Sequence, residues 1–197
     1  MRLILASQSL TRRALLEGAG VVFEAMPAAV DEAMIKESAR AEGVSATDTA
    51  ILLADAKAAR IARRHPDAVI IGADQLLVCD GEWFDKPADV EAARAHLHRL
   101  RNRAHELVTA MVVWRQGERA WHHVATPRLA MRDFSEAFLD EYLAREGAHV
   151  TQSVGAYRLE GMGIQLMRDI RGEHTAILGL PLLPLLAYLR DSGVLHG

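Results

Sequence analysis

Hydrophobic residues along this chain gather in short runs, and these runs alternate with stretches in which apolar residues recur every three or four positions. Short apolar runs are typical of buried strands, and the wider spacing is typical of amphipathic helices. The runs predict strands at 2–6, 21–23, 68–73, 76–79, 82–84, 107–114 and 120–125. The spaced stretches predict helices at 10–17, 47–64, 89–100, 136–144 and 178–190. Strands that alternate with helices in this way indicate the α/β class.

Two turn sequences predict β-hairpins within this pattern. Asp80-Gly81 lies between the runs 76–79 and 82–84, and Gln116-Gly117-Glu118 separates the last two predicted strands. Asp-Gly between two strand-like runs is a strong signal for a tight hairpin. The two strands of a hairpin are antiparallel, so we predict a mixed twisted sheet with flanking helices and not a wholly parallel sheet.

Size and charge narrow the classes of protein that this chain can be. Its 197 residues suit one domain, or one domain with two lobes. The formal net charge is −3, and because a protein that binds a nucleic-acid backbone usually carries a basic excess, we expect no nucleic-acid partner. The single cysteine, Cys79, excludes an internal disulfide framework. No run approaches the ~20 apolar residues of a membrane span and no signal peptide is visible, so we expect a cytoplasmic protein with no membrane association.

Two adjacent arginines, Arg12 and Arg13, lie at the start of the first predicted helix. Ser7 and Ser9 precede them, and serine is a residue type that caps helices. A strand, a serine-bearing loop and a helix N-terminus with free N–H groups form a natural phosphate cradle. The alternative is that Arg13 pairs with Glu17 one turn later while Arg12 is solvated. The glycine-rich pattern of a P-loop is missing.

Acidic residues that could bind a metal ion follow two of the predicted strands. Asp74 comes directly after an apolar run, at the carboxyl end of a strand, where α/β sheets bind their ligands. A carboxylate there can hold Mg²⁺ or act as a general base toward water, and the alternative is that Asp74 caps a turn. Asp31-Glu32 could share the metal, or it could only begin a helix, because acidic residues favour the first turn.

Three further charged residues are candidates that also have structural alternatives. Lys57 falls at the edge of the buried stripe of its helix, a position from which most lysines extend to solvent. Lys86 precedes Pro87, which favours an extended backbone, so Lys86 either reaches a phosphate or is a solvated loop residue. Glu160 lies in the glycine-rich segment 155–163, which is either a flexible site or a plain connector.

The order of these motifs resembles that of the Maf family of nucleoside triphosphate pyrophosphatases. The opening segment 3–16, with Ser7 five residues before Arg12-Arg13, is similar to the first family motif. Further matching motifs follow at Val30-Asp31-Glu32, Ala54-Asp55-Ala56-Lys57-Ala58, Gly72-Ala73-Asp74-Gln75, Lys86-Pro87, Gly155-Ala156-Tyr157-Arg158-Leu159-Glu160-Gly161 and Gly179-Leu180-Pro181-Leu182. Three places depart from the family pattern. The segment 151–154 reads Thr-Gln-Ser-Val, where many members have a sequence of the Asp-Lys-Ala type. Gln75 replaces the usual Thr, and Glu160 replaces the Gln that is common in members resembling dTTP and UTP hydrolases, which leaves the base preference open.

The resemblance implies a fold similar to that of inosine triphosphatases, in which one domain over residues 1–197 forms two lobes around a central cleft. The implied enzyme is a hydrolase that splits the α–β phosphoanhydride of nucleoside triphosphates, including modified or non-standard ones, to a monophosphate and pyrophosphate. This is a house-cleaning role in nucleotide metabolism. An inosine triphosphate pyrophosphatase would share the architecture, but the Ser7 to Arg13 opening argues against it.

The resemblance also implies roles for individual residues. The implied catalytic residues are Asp74, Glu32, Lys57 and Lys86. The implied substrate-binding residues are Ser7, Arg12, Arg13, Gln75 and Glu160. Asp74 and Glu32 would bind the cofactor, a divalent cation such as Mg²⁺ or Mn²⁺. The implied partner is a nucleoside triphosphate, a homodimer is possible, and the alternative function is a regulatory nucleotide-binding protein of septum formation that does not depend on hydrolysis.

Overall fold

The computed structural model describes residues 1–196, and the chain divides into two compact units. Unit 1 contains Met1–Gln75, Thr109–Ala125 and the chain from Glu173 onward. Unit 2 contains Leu76–Val108 and Thr126–Gly172. Two long strands contribute residues to both units. They are β3 (Val69–Cys79) and β5 (Ala104–Arg115).

Unit 1 combines parallel and antiparallel strands with helices. Besides its parts of β3 and β5, its strands are β1 (Leu3–Leu5), β2 (Glu24–Ala25) and β6 (Glu118–Ala125). Its helices are α1 (Leu10–Gly18), α2 (Glu32–Ala41), α3 (Ala46–Ala62), α6 (His174–Ile177) and α7 (Leu182–Asp191). β1 pairs in parallel with β2 and β3, whereas β5 and β6 are antiparallel. The predicted α/β class with a mixed sheet is confirmed.

Each face of the unit 1 strands has its own hydrophobic cluster, because successive strand side chains point to opposite faces. Leu3 and Leu5 of β1 pack in one cluster with Leu16 of α1 and Leu185 of α7. Ile4, between them, packs in a second cluster with residues of α3. Unit 1 therefore has three layers, with α3 on one face of the strands and α1 and α7 on the other.

Two elements near the N-terminus differ from the sequence prediction. The strand predicted at 21–23 is wrong, because the Val21 N–H donates to Leu16 O in the turn that ends α1, and strand pairing with β1 involves Glu24 and Ala25 instead. The predicted helices do not include α2, but Asp31 caps this helix and Glu32 lies in its first turn, so Asp31-Glu32 does begin a helix, as the alternative for this pair had it.

β3 is longer than the sequence predicts. The runs at 68–73 and 76–79 belong to one continuous strand, so Asp74 lies inside a strand and not beyond its carboxyl end. The polar side chains of Asp74 and Gln75 form hydrogen bonds with Lys57 and Thr109. Buried polar groups that find partners do not have to leave a strand, and the polar pair therefore does not interrupt β3.

Unit 2 consists of strands in antiparallel pairs together with helices. Besides its parts of β3 and β5, its elements are β4 (Glu82–Phe84), α4 (Val90–Leu100), β7 (Arg128–Met131), α5 (Glu136–Glu146), two 3-10 helices (Gly147–Gln152 and Met162–Leu166) and β8 (Met167–Arg171). β3 pairs with β4, β5 with β7, and β7 with β8. Asp80 and Gly81 have φ angles of 51° and 81°, as a two-residue hairpin turn between these strands requires. Both predicted hairpins are confirmed.

None of the helices within residues 1–196 is both long enough and apolar enough to cross a membrane.

A close approach between β3 and α3 depends on Gly72. A Cβ built on Gly72 would lie 2.3 Å from Ala54 O and 3.0 Å from Ala58 Cβ. Ala54 and Ala58 are themselves buried on the face of α3 that packs against the strands. Small residues on both elements thus let the helix lie directly on the strand, and Lys57 of the same helix comes within reach of Asp74.

We expect Gly72→Ala to lower the free energy of unfolding by about 2 kcal/mol, because the added methyl group overpacks the contact between β3 and α3. Gly18→Ala is the matched control, since a Cβ at Gly18 meets no atom within 4 Å. The control should change the free energy of unfolding by less than about 1 kcal/mol. Urea denaturation measures both values, and equal stability of the two variants would contradict the close approach.

Candidate active site

Lys57 joins two carboxylates in unit 1. Its Nζ lies 2.5 Å from Asp74 Oδ1 and 2.8 Å from Glu32 Oε1. Lys57 and Asp74 are buried, with relative exposures of 9% and 5%, whereas the Glu32 side chain keeps 43% of its surface exposed. A buried lysine and a buried carboxylate stabilise each other's charge, because burying an isolated charge in a protein interior has a large free-energy penalty. The alternative in which Lys57 extends to solvent is therefore wrong.

Asp74 uses one carboxylate oxygen for Lys57 and keeps the other buried. In the part of the chain that the structure describes, no group forms a hydrogen bond with Asp74 Oδ2. A buried acceptor that is left unsatisfied carries a desolvation penalty of about 1–3 kcal/mol. Such an atom marks a position where a ligand or a water proton can bind, and the alternative that Asp74 caps a turn is wrong because Asp74 lies within β3.

The two carboxylates suit a divalent cation that takes its other ligands from elsewhere. No cluster of three or more metal-ligating side chains occurs within residues 1–196. Mg²⁺ commonly binds through one or two protein carboxylates and completes its coordination with substrate phosphates and waters. Asp74 Oδ2 is a buried oxygen that has no hydrogen-bond partner within those residues, and Glu32 contacts the same lysine as Asp74. The residues present therefore fit such an ion.

The loop between β1 and α1 ends in a capped helix N-terminus. Ser9 Oγ accepts a hydrogen bond from the Arg12 backbone N–H at 3.3 Å. Ser7 is buried, and its Oγ accepts from the Ser9 N–H at 3.1 Å and from Arg12 Nη1 at 3.5 Å. These bonds fix the loop at the start of a helix, where free N–H groups and the helix dipole favour an anion.

Arg12 is held by backbone carbonyl groups, so the solvated alternative for this arginine is wrong. Nε donates to Gly179 O at 2.7 Å and Nη1 donates to Ala73 O at 2.9 Å. Burial lowers the pKa of Arg12, and the negative charges of Asp74 and Glu32 oppose this shift. Because a guanidinium group remains charged in proteins, Arg12 is a fixed cation near the two carboxylates.

Arg13 lies on the exposed surface of α1. Its Nε is 2.7 Å from Glu17 Oε1, and both side chains are about half exposed. This is the ion pair one helical turn apart that the sequence offered as the alternative. The described contacts do not bring Arg13 together with Lys57 and Asp74, and its role in binding phosphate stays a prediction.

Gln75 donates its side-chain amide to groups of the protein. Nε2 lies 2.8 Å from Thr109 Oγ1 and 3.1 Å from both Ala176 O and Ile177 O. Thr109 Oγ1 in turn donates to Ala176 O at 3.0 Å. Gln75 therefore connects β3 with β5 and α6, and its predicted contact with substrate stays a prediction.

Lys86 and Glu160 belong to unit 2. Lys86 follows β4 and precedes Pro87. Glu160 Oε1 lies 3.5 Å from Arg158 Nε, and Arg158 Nη1 lies 3.9 Å from Glu146 Oε2. The Arg158 and Glu160 side chains each keep about a third of their surface exposed. The roles of Lys86 and Glu160 in catalysis and substrate binding stay predictions.

The segment that carries Glu160 is held by buried hydrogen bonds. Ala156 has a φ of 57°, a backbone conformation that costs a non-glycine residue about 1 kcal/mol. Tyr142 OH donates to Ala156 O at 2.9 Å, and Tyr157 OH lies 2.7 Å from Nε2 of the buried His105. Strained backbone persists where surrounding contacts determine it, so these contacts fix the start of the segment.

The comparison with protein families agrees with the motif order. Residues 2–192 match the family model described as Maf-like protein. The chain belongs to the Maf family. A protein of Granulibacter bethesdensis named nucleoside triphosphate pyrophosphatase is 60% identical over 195 residues, which cover 99% of each chain. A protein of Rhizobium meliloti named 7-methyl-GTP pyrophosphatase is 46% identical over 193 residues, which cover 98% of this chain and 97% of that protein. Among solved structures, a dITP/XTP pyrophosphatase from Mycobacterium abscessus has 15% identity and a TM-score of 0.46, covering 98% of this chain and 96% of that one.

The structure gathers part of the Maf motif set in unit 1. The residues linked by the contacts above are Ser7, Arg12, Glu32, Lys57, Asp74 and Gln75. Sequence patterns did not identify two further residues that form these contacts, Gly179 and Thr109. Gly179 lies in a quoted family motif, which was a signal for its importance but not for its contact with Arg12. Thr109 gave no signal, because a buried threonine in an apolar run is typical of any strand.

We expect Lys57→Met to lower the free energy of unfolding by about 3 kcal/mol, because it leaves the buried carboxylate of Asp74 without its cation. Arg13→Met is the comparison, since the exposed pair of Arg13 with Glu17 contributes only about 0.5 kcal/mol. The double variant Lys57→Met/Asp74→Asn should regain part of the lost stability. Urea denaturation measures all three, and similar values for the two single variants would show that the buried pair is not required.

We expect His105 to make the stability of the protein depend on pH. Burial lowers the pKa of His105 to about 4, while the pKa in the unfolded chain is about 6.5. Between these values the unfolded chain binds more protons than the folded chain, so stability falls as the pH is lowered. Wild type should lose about 2 kcal/mol more than His105→Gln between pH 7 and pH 5.

Urea denaturation at the two pH values tests this difference. His122→Gln is the control, because His122 is exposed and an exposed imidazole is solvated in both states. This control should lose as much stability as wild type on acidification. A His105→Gln variant with the same pH dependence as wild type would contradict the assignment to His105.

Proposed function

We propose that this chain is a nucleoside triphosphate pyrophosphatase, which hydrolyses the α–β phosphoanhydride to release a nucleoside monophosphate and pyrophosphate. The observation that carries the proposal is the state of Asp74. One of its oxygens is fixed by Lys57, and the other is buried without a hydrogen-bond partner within residues 1–196. The names of the similar proteins from Granulibacter bethesdensis and Rhizobium meliloti support the same reaction class.

The triphosphate would bind at cationic and N–H groups of unit 1. Arg12 is held in place by Gly179 O and Ala73 O through Nε and Nη1, so its orientation costs little entropy when a phosphate binds. The N-terminus of α1 and the Ser7 loop supply further donors for phosphate oxygens. Fixed positive groups of this kind stabilise the charge that develops on the phosphates during transfer.

A divalent cation, Mg²⁺ or Mn²⁺, would be held by Asp74 and Glu32. When bound, the ion neutralises phosphate charge and polarises the phosphorus that water attacks. A carboxylate offers about four lone-pair positions on its two oxygens, so Asp74 can contact the ion and still accept a hydrogen bond. Lys57 keeps the Asp74 carboxylate oriented through Oδ1.

The reaction balances with water as the only added reactant. The water oxygen forms a bond to the α-phosphorus, and the bond from this phosphorus to the oxygen bridging to the β-phosphate breaks. The electron pair of that bond leaves with pyrophosphate, and the water proton goes to the Asp74 carboxylate, which acts as the general base. This assignment extends the predicted roles of Asp74, Lys57 and Glu32, while the cytoplasmic location, the two lobes around one cleft and the possible homodimer stay predictions.

The test is a pyrophosphate-release assay on purified protein. Common ribo- and deoxyribonucleoside triphosphates and 7-methyl-GTP are supplied with Mg²⁺ or Mn²⁺. We expect wild type to release pyrophosphate only with the metal, and Asp74→Asn to lose at least about 10²-fold in kcat, because general-base catalysis typically contributes that much. Chelation of the metal should abolish the activity of wild type.

Asp55→Asn is the matched control, because Asp55 is a partly buried carboxylate on α3 that accepts hydrogen bonds from Trp114 Nε1 and Arg119 Nη1 and not from Lys57. It should retain activity. A folded wild-type protein that binds nucleotides and releases no pyrophosphate from any of them would overturn the proposal and favour the regulatory nucleotide-binding protein.

A further inference from the structure

Carbonyl oxygens at the C-terminal end of α6 accept hydrogen bonds from distant parts of unit 1. Ala176 O and Ile177 O accept from Gln75 Nε2, each at 3.1 Å. Gly179 O, just beyond the helix, accepts from Arg12 Nε at 2.7 Å. Ala176 O also accepts from the Gly179 backbone N–H at 3.0 Å, and carbonyl groups in the last turn of a helix, which have no donor four residues on, can accept side-chain N–H groups in this way. The end of α6 therefore anchors side chains from elsewhere in the chain.

Both anchored side chains are connected to the residues that flank Asp74 in β3. Gln75 is the next residue of β3, and Arg12 also donates to the carbonyl oxygen of Ala73, the preceding residue. The Asp74 side chain itself meets Lys57 of α3, on the opposite face of the strand, because successive strand side chains alternate. The backbone around Asp74 is thus held on one face while its carboxylate is used on the other.

Thr109 forms hydrogen bonds with both Gln75 and α6 through its single hydroxyl group. It is fully buried, at 0% exposure. Its Oγ1 accepts from Gln75 Nε2 at 2.8 Å and donates to Ala176 O at 3.0 Å. We propose that Thr109 is a positioning residue for Asp74. Thr109 orients Gln75 against α6 and so fixes the backbone from which the Asp74 carboxylate projects.

The kinetic test of this inference rests on the proposed function. Thr109→Val keeps the shape of the side chain and removes both hydrogen bonds. We expect kcat for pyrophosphate release to fall about 10-fold, because small displacements of a reacting group reduce rates strongly. KM should change less than about 2-fold, since the groups proposed to bind the triphosphate are unaltered. Thr109→Ser restores the hydroxyl and should recover most of kcat.

Thr49→Val is the matched control for removing a buried hydroxyl. Thr49 is also 0% exposed and donates to a backbone carbonyl, Ser45 O, at 2.8 Å. Its hydrogen bond lies within the first turn of α3 and does not involve Gln75 or α6. Thr49→Val should keep the kcat of wild type, and urea denaturation of every variant shows whether it is folded under the assay conditions.

A second measurement does not depend on activity. Nuclear magnetic resonance of the Gln75 side-chain amide reports its hydrogen bonds directly. The amide protons should exchange slowly with solvent in wild type, Thr109→Ser and Thr49→Val, and measurably faster in Thr109→Val, where Gln75 keeps its bonds to Ala176 O and Ile177 O but loses the one to Thr109. If wild type released no pyrophosphate, the proposed function would fail while this measurement still tested the anchoring of Gln75.

The positioning role is supported if Thr109→Val loses kcat at constant KM, Thr109→Ser recovers it and the Gln75 amide follows the same order. Three results would each overturn it. Thr109→Val could keep the wild-type kcat, Thr109→Ser could be as impaired as Thr109→Val, or Thr49→Val could lose as much kcat as Thr109→Val. The last result would assign the effect to the general loss of a buried hydroxyl.

Discussion

The buried contact between Lys57 Nζ and Asp74 Oδ1 is the interaction on which the organisation of unit 1 depends. It requires α3 to lie directly on β3, which is possible because Gly72 has no side chain and the facing helix residues are alanines. A buried ion pair rarely stabilises a protein more than apolar side chains of the same volume would. The hydrophobic clusters on the two faces of the strands therefore supply most of the stability, and the ion pair has the role that the proposed function gives to Asp74.

Side chains alternate along β3, so the carboxylate of Asp74 points to one face of the strand and the side chains of Ala73 and Gln75 point to the other. The Asp74 carboxylate faces α3 and pairs with Lys57, which also contacts Glu32 of α2. The neighbours of Asp74 are held by hydrogen bonds that do not involve the carboxylate, because Ala73 O accepts from Arg12 of α1 and Gln75 donates to Ala176 O of α6. Catalytic groups must be held within fractions of an ångström of their working position. A strand anchored on one face can meet this requirement, and the proposed function places substrate and metal at the other face.

The sequence predicts the fold wherever local pattern and tertiary structure agree. The hairpin at Asp80-Gly81 and the start of α5, where Ser135 accepts a hydrogen bond from the Phe138 N–H, follow from turn and cap chemistry that acts over a few residues. The continuity of β3 through Asp74 could not be predicted, because the partners that satisfy its polar residues are far away in the chain. The motifs identified Lys57 and Asp74 separately, and only the packing of α3 on β3 makes them a pair. The contact of Thr109 with Gln75 could not be predicted for the same reason, since the two residues lie 34 positions apart in the chain.

Gln75 departs from the family pattern, and the structure shows which contacts its longer side chain makes. The family usually has Thr at this position, and a threonine hydroxyl has one proton to donate, whereas the glutamine amide has two on a longer side chain. With that reach and capacity, Gln75 contacts Thr109 of β5 and the end of α6 at once. Each bond to a buried carbonyl adds about 1 kcal/mol of net stability, and losing one leaves a buried group unsatisfied at a greater cost. In this chain the shorter Thr would therefore leave the link to α6 to the bond from Thr109 to Ala176 O and to Arg12, which joins Gly179 O to Ala73 O of β3.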